Sequence, residues 1–255
     1  MGNYIGKDVH DFVDYKLILQ DKQHGFIGIS IYTIGTFPAT NTEKDRVATQ
    51  RVHDFFVGWI MEPLLHGDYP ISMKRIIGKR IPTFTNHESE QVKGQITHHF
   101  LVLTDGPDLV TNEEYPITPW GLRDELDKFK LLYGNPTVFI YENGQRTASN
   151  LSLQDVSRVK YLHGYIGGVL DALRNGSNVK GYFAWSFIDV LELLDGYKSS
   201  FGLYYVDRND PELKRYPKLS AKWYNRFLRA RSTSIVGTIE LEKDQSLVFI
   251  DHLFE

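Results

Sequence analysis

Residues 137–144 read Thr-Val-Phe-Ile-Tyr-Glu-Asn-Gly and residues 179–185 read Val-Lys-Gly-Tyr-Phe-Ala-Trp. Each is a short run rich in β-branched and aromatic residues, the first bounded by Asn143-Gly144, and each reads as a strand. Between them Ser152 with Asp155 opens a helix through Val156, Val159, Leu162, Ile166, Val169, Leu170 and Leu173, which Asn175-Gly176 ends. Strand, helix, strand at this spacing is a βαβ unit, whose crossover makes the two strands parallel and right-handed. Their C-terminal ends then share one edge, the edge at which α/β folds bind ligands. Glu142, just past the first strand, and Trp185, closing the second, are expected to face one pocket.

Working upstream, Thr118 is expected to cap a helix with Pro119 in its first turn. Leu122, Leu126, Phe129 and Leu132 line one face of it, and Gly134 sits where a C-terminal glycine belongs. Residues 26–32 form another buried strand. Thr42 and Asp45 then make a capping pattern before Val47, Ala48, Val52, Phe55, Phe56, Trp59 and Ile60, a helical face expected to run until Pro63 breaks it. The class is α/β, and with no internal repeat or low-complexity linker a single domain is expected.

The composition narrows function by exclusion. At 255 residues and 42% hydrophobic the chain can bury a substantial core. A net charge of -3 without a long single-sign block disfavours a nucleic-acid partner. With no cysteine there is no disulfide, thiolate nucleophile or cysteine-ligated metal. No apolar run approaches the ~18 residues of a membrane span, and Gly6-Lys7-Asp8 interrupts any signal-peptide core. The compartment stays open. The aromatic content of 13% suits core packing, and also a site for polar molecules with apolar faces.

Two carboxylates carry candidate chemistry. Glu142 lies either in an Asn-Gly hairpin turn as a solvated flank, or at the mouth of a parallel sheet as nucleophile or base. The helical segment that follows favours the second. Glu192, among Leu191, Leu193 and Leu194, takes a salt bridge, a solvent-facing loop position or a ligand. The adjacent His98 and His99 project to opposite faces of an extended chain, which disfavours a metal site.

The string Thr137–Gly144, then Gly181-Tyr182-Phe183-Ala184-Trp185-Ser186 and Phe201-Gly202-Leu203-Tyr204-Tyr205-Val206-Asp207, resembles the C-terminal half of a plant β-glucosidase of glycoside hydrolase family 1. Gly67-Asp68-Tyr69-Pro70, Leu213-Lys214-Arg215-Tyr216-Pro217-Lys218 and the helix around Trp223 extend the likeness in the family's order, over roughly 22–94 and 115–231. The resemblance implies part of a (β/α)8 TIM barrel, about strands five to eight with their helices, as one domain over 1–231. It also implies retaining hydrolysis of a β-glucoside or related small glycoside by two glutamates, with no cofactor and no metal. Glu142 matches the nucleophile, Trp185 the platform under the sugar, Glu192 the carboxylate that binds outer hydroxyls, and Phe201 an aromatic wall.

Departures from the family pattern set further expectations. Tyr141 stands in place of a threonine beside the nucleophile, and Leu193 in place of a tryptophan that contacts the sugar. The first four strands are absent, and with them the Thr-x-Asn-Glu-Pro segment that carries the acid/base glutamate. Glu62-Pro63 belongs to a helix and is no substitute. The sixth strand is doubtful, with Phe100-Leu101-Val102-Leu103 as a stand-in. Residues 232–255 are not family-like and suggest a hairpin through Ile239, Leu241, Leu247 and Phe249.

A truncated chain, weakly active or inactive, is therefore expected, the alternative being a non-catalytic sugar-binding or interaction remnant. Exposed barrel edges would invite self-association. The family is often secreted, vacuolar or ER-associated, and Asn150-Leu151-Ser152 and Asn175-Gly176-Ser177 are acceptor sequons that matter only on a secretory route.

Overall fold

The computed structural model describes residues 28–33, 35–94, 99–103, 114–149, 153–193 and 195–230. In chain order the elements are β1 (Ile29–Thr33), α1 (Glu43–His53), α2 (Trp59–His66), α3 (Ile71–Ile77), α4 (Asn86–Val92), β2 (His99–Leu103), α5 (Pro119–Leu132), β3 (Val138–Asn143), β4 (Thr147–Ala148), α6 (Val156–Arg174), β5 (Val179–Ala184), β6 (Ser199–Ser200), β7 (Tyr204–Val206), β8 (Arg215–Pro217) and α7 (Leu219–Ala230). They divide between two compact units. The first comprises Met1–Leu109, Tyr115–Gly144 and His163–Trp185, the second Val110–Glu114, Gln145–Leu162 and Ser186–Glu255.

The first unit holds one open sheet in the order β1-β2-β3-β5, every neighbouring pair parallel. The βαβ reading of β3 and β5 holds. The hairpin alternative for Asn143-Gly144 falls, because β3 is flanked by β2 and β5, both parallel to it. The stand-in for the doubtful sixth strand forms: His99–Leu103 is β2 and pairs with β1 and β3. The expected run 26–32 forms a strand from Ile29, its first two positions lying outside the described residues, and β5 closes at Ala184, one residue before Trp185. His98, Ser152 and the 232–255 tail also lie outside the described residues.

The helices show where the periodicity was overridden. Thr42 caps α1 as expected, its hydroxyl accepting from the Asp45 N–H. Pro63 does not break the helix but sits inside α2. A five-residue π-helical turn, Asp54–Gly58, lies between α1 and α2, and such a turn shifts the hydrogen-bond ladder so that a proline with no N–H can be accommodated. Met61 and Leu64 of α2 are buried, each worth ~2–3 kcal/mol. The helix ends instead at Gly67, whose φ of 79° suits glycine.

Thr118 does not cap α5 with its side chain; its hydroxyl lies 3.3 Å from the Tyr165 hydroxyl. Pro119 in the first turn limits the N–H groups that need a cap. Leu122, Leu126 and Phe129 are buried as expected, whereas Leu132 is half exposed. Gly168 of α6 permits a close approach here, since a Cβ would stand 2.7 Å from the Pro119 carbonyl oxygen.

Between the helices lies a polar cluster that the periodicity gave no sign of. Glu125 is buried, accepts from Thr33 Oγ1 at 3.0 Å and from Lys128 Nζ at 3.1 Å, and lies 3.7 Å from the buried His53. His53 stacks on Tyr133 with centroids 5.9 Å apart. Burial lowers the His53 pKa, the Glu125 charge opposing it.

The second unit contains two small antiparallel ladders, β4 with β6 and β7 with β8, together with α7. Leu219, Ala221 and Trp223 of α7 are buried. Asp155 binds the start of α7, accepting from the Ser220 N–H at 2.8 Å and the Ser220 hydroxyl at 2.6 Å. A carboxylate at a helix N-terminus meets both the free N–H groups and the positive end of the dipole.

Candidate active site

Glu142 stands at the C-terminal end of β3 because of an irregularity in the ladder. Leu101 of β2 pairs with Ile140, but the next residue, Val102, pairs with Glu142, leaving Tyr141 as an extra residue. The register against β5 slips over the same stretch, between Ile140 and Asn143. In a regular strand Glu142 would share the face of Val138 and Ile140, both buried. The bulge releases it from that face, as bulges next to active sites re-aim side chains. Glu142 is partly buried, and this burial raises its carboxyl pKa from the ordinary value.

Its neighbours fix the edge. Asn143 is buried; its carbonyl accepts the Trp185 N–H at 3.0 Å and its Oδ1 accepts the Tyr182 hydroxyl at 2.7 Å. At Gly144 a Cβ would lie 1.7 Å from the Trp185 carbonyl oxygen, so only glycine lets the two chain segments meet. Glu142 and Trp185 thus lie at the same edge of the sheet, on segments joined by direct hydrogen bonds. Tyr141, the departure from the expected threonine, stacks on Phe183 with centroids 5.3 Å apart, and both rings are exposed.

In the second unit Glu192 opens a tight turn. Its N–H donates to Gly196 O at 2.8 Å, and the Gly196 N–H returns to Glu192 O at 2.7 Å. Leu193 projects from this turn, 95% exposed, while Glu192 Oε1 is shielded from solvent. Arg146, itself buried, pairs with Asp195 in the turn. Phe201, half-buried, follows β6, and its carbonyl accepts the Ser186 N–H at 3.1 Å. Asp189 and Lys218 form a buried ion pair at 2.8 Å, and Arg158 pairs with Asp155. Asn143 and Gly144 in the first unit, and Asp189, Arg158 and Lys218 in the second, escaped the sequence reading as residues that hold the candidates of their own unit in place. Asn143, Gly144 and Lys218 stood inside quoted motifs, but a motif does not say which of its members hold the others. Among the described residues no group of three or more histidine, aspartate or glutamate side chains could hold a metal ion.

Comparison with known proteins bears on this arrangement. The model of glycosyl hydrolase family 1 matches residues 6–106 and 104–233. The chain belongs to glycosyl hydrolase family 1. A Glycine max protein named hydroxyisourate hydrolase is 59% identical over 253 residues, covering 88% of this chain and 45% of that protein. Beta-glucosidase 11 of Arabidopsis thaliana is 50% identical over 241 residues, 83% of this chain and 46% of that one. The crystal structure of a family 1 β-glucosidase from the fungus Humicola insolens in complex with glucose aligns with a TM-score of 0.82 and 29% identity, covering 90% of this chain and 56% of that one. The chain thus spans about half the length of the curated relatives it matches. The open four-stranded parallel sheet is the corresponding part of a family 1 TIM barrel.

Proposed function

We propose that the chain carries the nucleophile-bearing half of a retaining glycosidase site, with a β-glucoside or related small glycoside as substrate. The observation that carries this reading is Glu142, bulged out of β3 at the ligand-binding edge of a parallel sheet, partly desolvated and beside Trp185. In the reading, a Glu142 carboxylate oxygen attacks the anomeric carbon. The bond from that carbon to the aglycone oxygen breaks with its electron pair, leaving a glycosyl ester on Glu142, and water then hydrolyses the ester. The Trp185 ring meets the apolar C–H face of the sugar. The second unit by itself carries Glu192, which by resemblance accepts from sugar hydroxyls, and Phe201, which by resemblance offers an apolar wall.

The departing oxygen normally takes a proton from the second glutamate, and the Thr-x-Asn-Glu-Pro segment that carries it does not occur in this sequence. General acid catalysis is worth about 10²–10⁴ in rate. The reading therefore predicts a steep dependence on the leaving group: an aryl β-glucoside whose phenol leaves unprotonated is cleaved, while an alkyl β-glucoside is cleaved at least ~10²-fold more slowly. Equal rates on the two, or no cleavage of either, would count against it.

A second reading is favoured by one observation, the 59% identity to a protein named hydroxyisourate hydrolase. It would make hydroxyisourate the substrate of the same glutamate. Turnover of hydroxyisourate in parallel with the glucosides separates the two: the Glu142→Gln variant should lose whichever activity the chain has.

A further inference from the structure

The run Ser199–Leu203 is buried except at Phe201. The residues on either side of Phe201 are held by charges of both signs. Ser200 O accepts from Arg158 Nη2 at 2.9 Å and from the Thr147 hydroxyl at 3.2 Å. The Ser200 hydroxyl donates to Asp189 Oδ1 at 2.5 Å and accepts from Lys218 Nζ at 2.7 Å. Gly202 O accepts from Arg158 Nη1 at 3.0 Å and from Lys218 Nζ at 2.8 Å, while the Gly202 N–H donates to Asp189 Oδ1 at 3.0 Å. A Cβ on Gly202 would stand 2.2 Å from the Asp189 N atom, so no other residue fits beside the network.

Arg158, Asp155, Lys218 and Asp189 are 1%, 5%, 4% and 7% exposed. Two cations and two carboxylates cancel, so the group presents no net charge to a ligand. As a way of filling a core it is a poor choice, because burying ions costs more desolvation than packing apolar side chains of the same size. What apolar side chains cannot do is donate to the carbonyls of Ser200 and Gly202. The bonds to Ser200 O hold the peptide plane before Phe201, the Gly202 N–H bond to Asp189 holds the plane after it and the bonds to Gly202 O hold the next, so the main chain from which the ring projects is fixed on both sides. The α7 segment joins the same network, since Asp155 also binds Ser220.

We propose that the buried network Arg158–Asp155 and Lys218–Asp189 is a positioning scaffold for Phe201, holding its ring as a preset apolar wall for a sugar face. The inference rests on the glycoside reading for the ligand, but the scaffold itself can be tested without one. These four are positioning residues, acting through the main chain on either side of the aromatic ring. Burial lowers the Lys218 pKa, Arg158 adding to the effect, so the site spends electrostatic stability to keep this lysine in place.

The test replaces the ion pair by apolar residues, Lys218→Met with Asp189→Leu, in the full chain. Three measurements follow: the thermal melt, amide hydrogen exchange at Phe201 and Gly202, and calorimetric binding of methyl β-glucoside. The expected result is a cooperative melt, exchange at Gly202 at least tenfold faster, and binding weakened at least fivefold. Phe201→Ala should weaken binding in the parent chain and add nothing in the double variant, since the ring is then no longer held. If the double variant fails to fold, Thr147→Val takes its place, removing a single hydroxyl from the Arg158 and Ser200 contacts, with exchange at Ser200–Gly202 as the readout.

Unchanged exchange in a folded variant, or a Phe201→Ala effect that is fully additive with loss of the network, would overturn the proposal. If the parent chain binds no glucoside, the glycoside reading fails, and exchange at Gly202 still decides the scaffold.

Discussion

Glu142 owes its orientation to its neighbours more than to its own chemistry. The extra residue Tyr141 turns it off the buried face, Asn143 bonds to both Trp185 and Tyr182, and Gly144 leaves room for the Trp185 carbonyl. Gly144→Ala should therefore cost ~1–3 kcal/mol or more, read as a lowered thermal midpoint, because a Cβ at 1.7 Å must displace main chain. A midpoint equal to the parent's would show that the two segments are not held together at that point.

His53 makes a prediction of opposite character, about pH. Its folded-state pKa lies below 6.5 through burial, so between that lowered value and 6.5 the unfolded chain binds the extra proton. Stability is then fully present above 6.5 and declines as pH falls towards the folded-state value, by at most ~1.4 kcal/mol per pH unit. Denaturant midpoints measured across this range should fall on acidification in the parent and fall less in His53→Leu. Parallel profiles would remove His53 as the cause.

At the scale of elements, the bulge in β3 decides what the strand can present. Deleting Tyr141 leaves the carboxylate opposite Val102 but removes the extra residue and the local bend and twist it gives the strand end, which changes the direction in which the carboxylate is presented. The deletion variant should keep its helical circular dichroism and lose reaction with an activated glucoside. Reaction at the parent rate would mean that the bulge is incidental.

The βαβ unit was legible because apolar periodicity and turn residues report local structure, and the parallel pairing followed from crossover length alone. The bulge was not legible, since one extra residue leaves no mark on a pattern that also fits a regular strand. Pro63 misled for a related reason: a proline predicts a break only if the ladder before it is regular, and the π-helical turn Asp54–Gly58 makes it irregular. The strand His99–Leu103 was foreseen only as a stand-in, because its apolar run is short and carries no helix-or-strand period of its own. The ionic network around Phe201 stayed hidden because Arg158, Asp155, Asp189 and Lys218 come from four separate segments, which only the fold brings together.

For the molecule as a whole, the chain joins an open parallel sheet to a unit that carries its own buried ion pairs, and it matches about half of each curated relative. Chemistry at the sheet edge is claimed for Glu142 alone, so the claim can be read off one residue. The most direct measurement is mass spectrometry of the intact chain, then of its peptides, after incubation with a 2-deoxy-2-fluoro-β-glucoside bearing an acidic aryl leaving group. Such a compound needs no proton to react and gives up its glycosyl group slowly. Because burial raises the Glu142 pKa, the labelling rate should climb with pH along a limb centred above 4.5, as the carboxylate forms. The account predicts one added fluoroglucosyl group, on the peptide containing Glu142 and absent from Glu142→Gln. Labelling on another residue, or none in a folded chain, would contradict it.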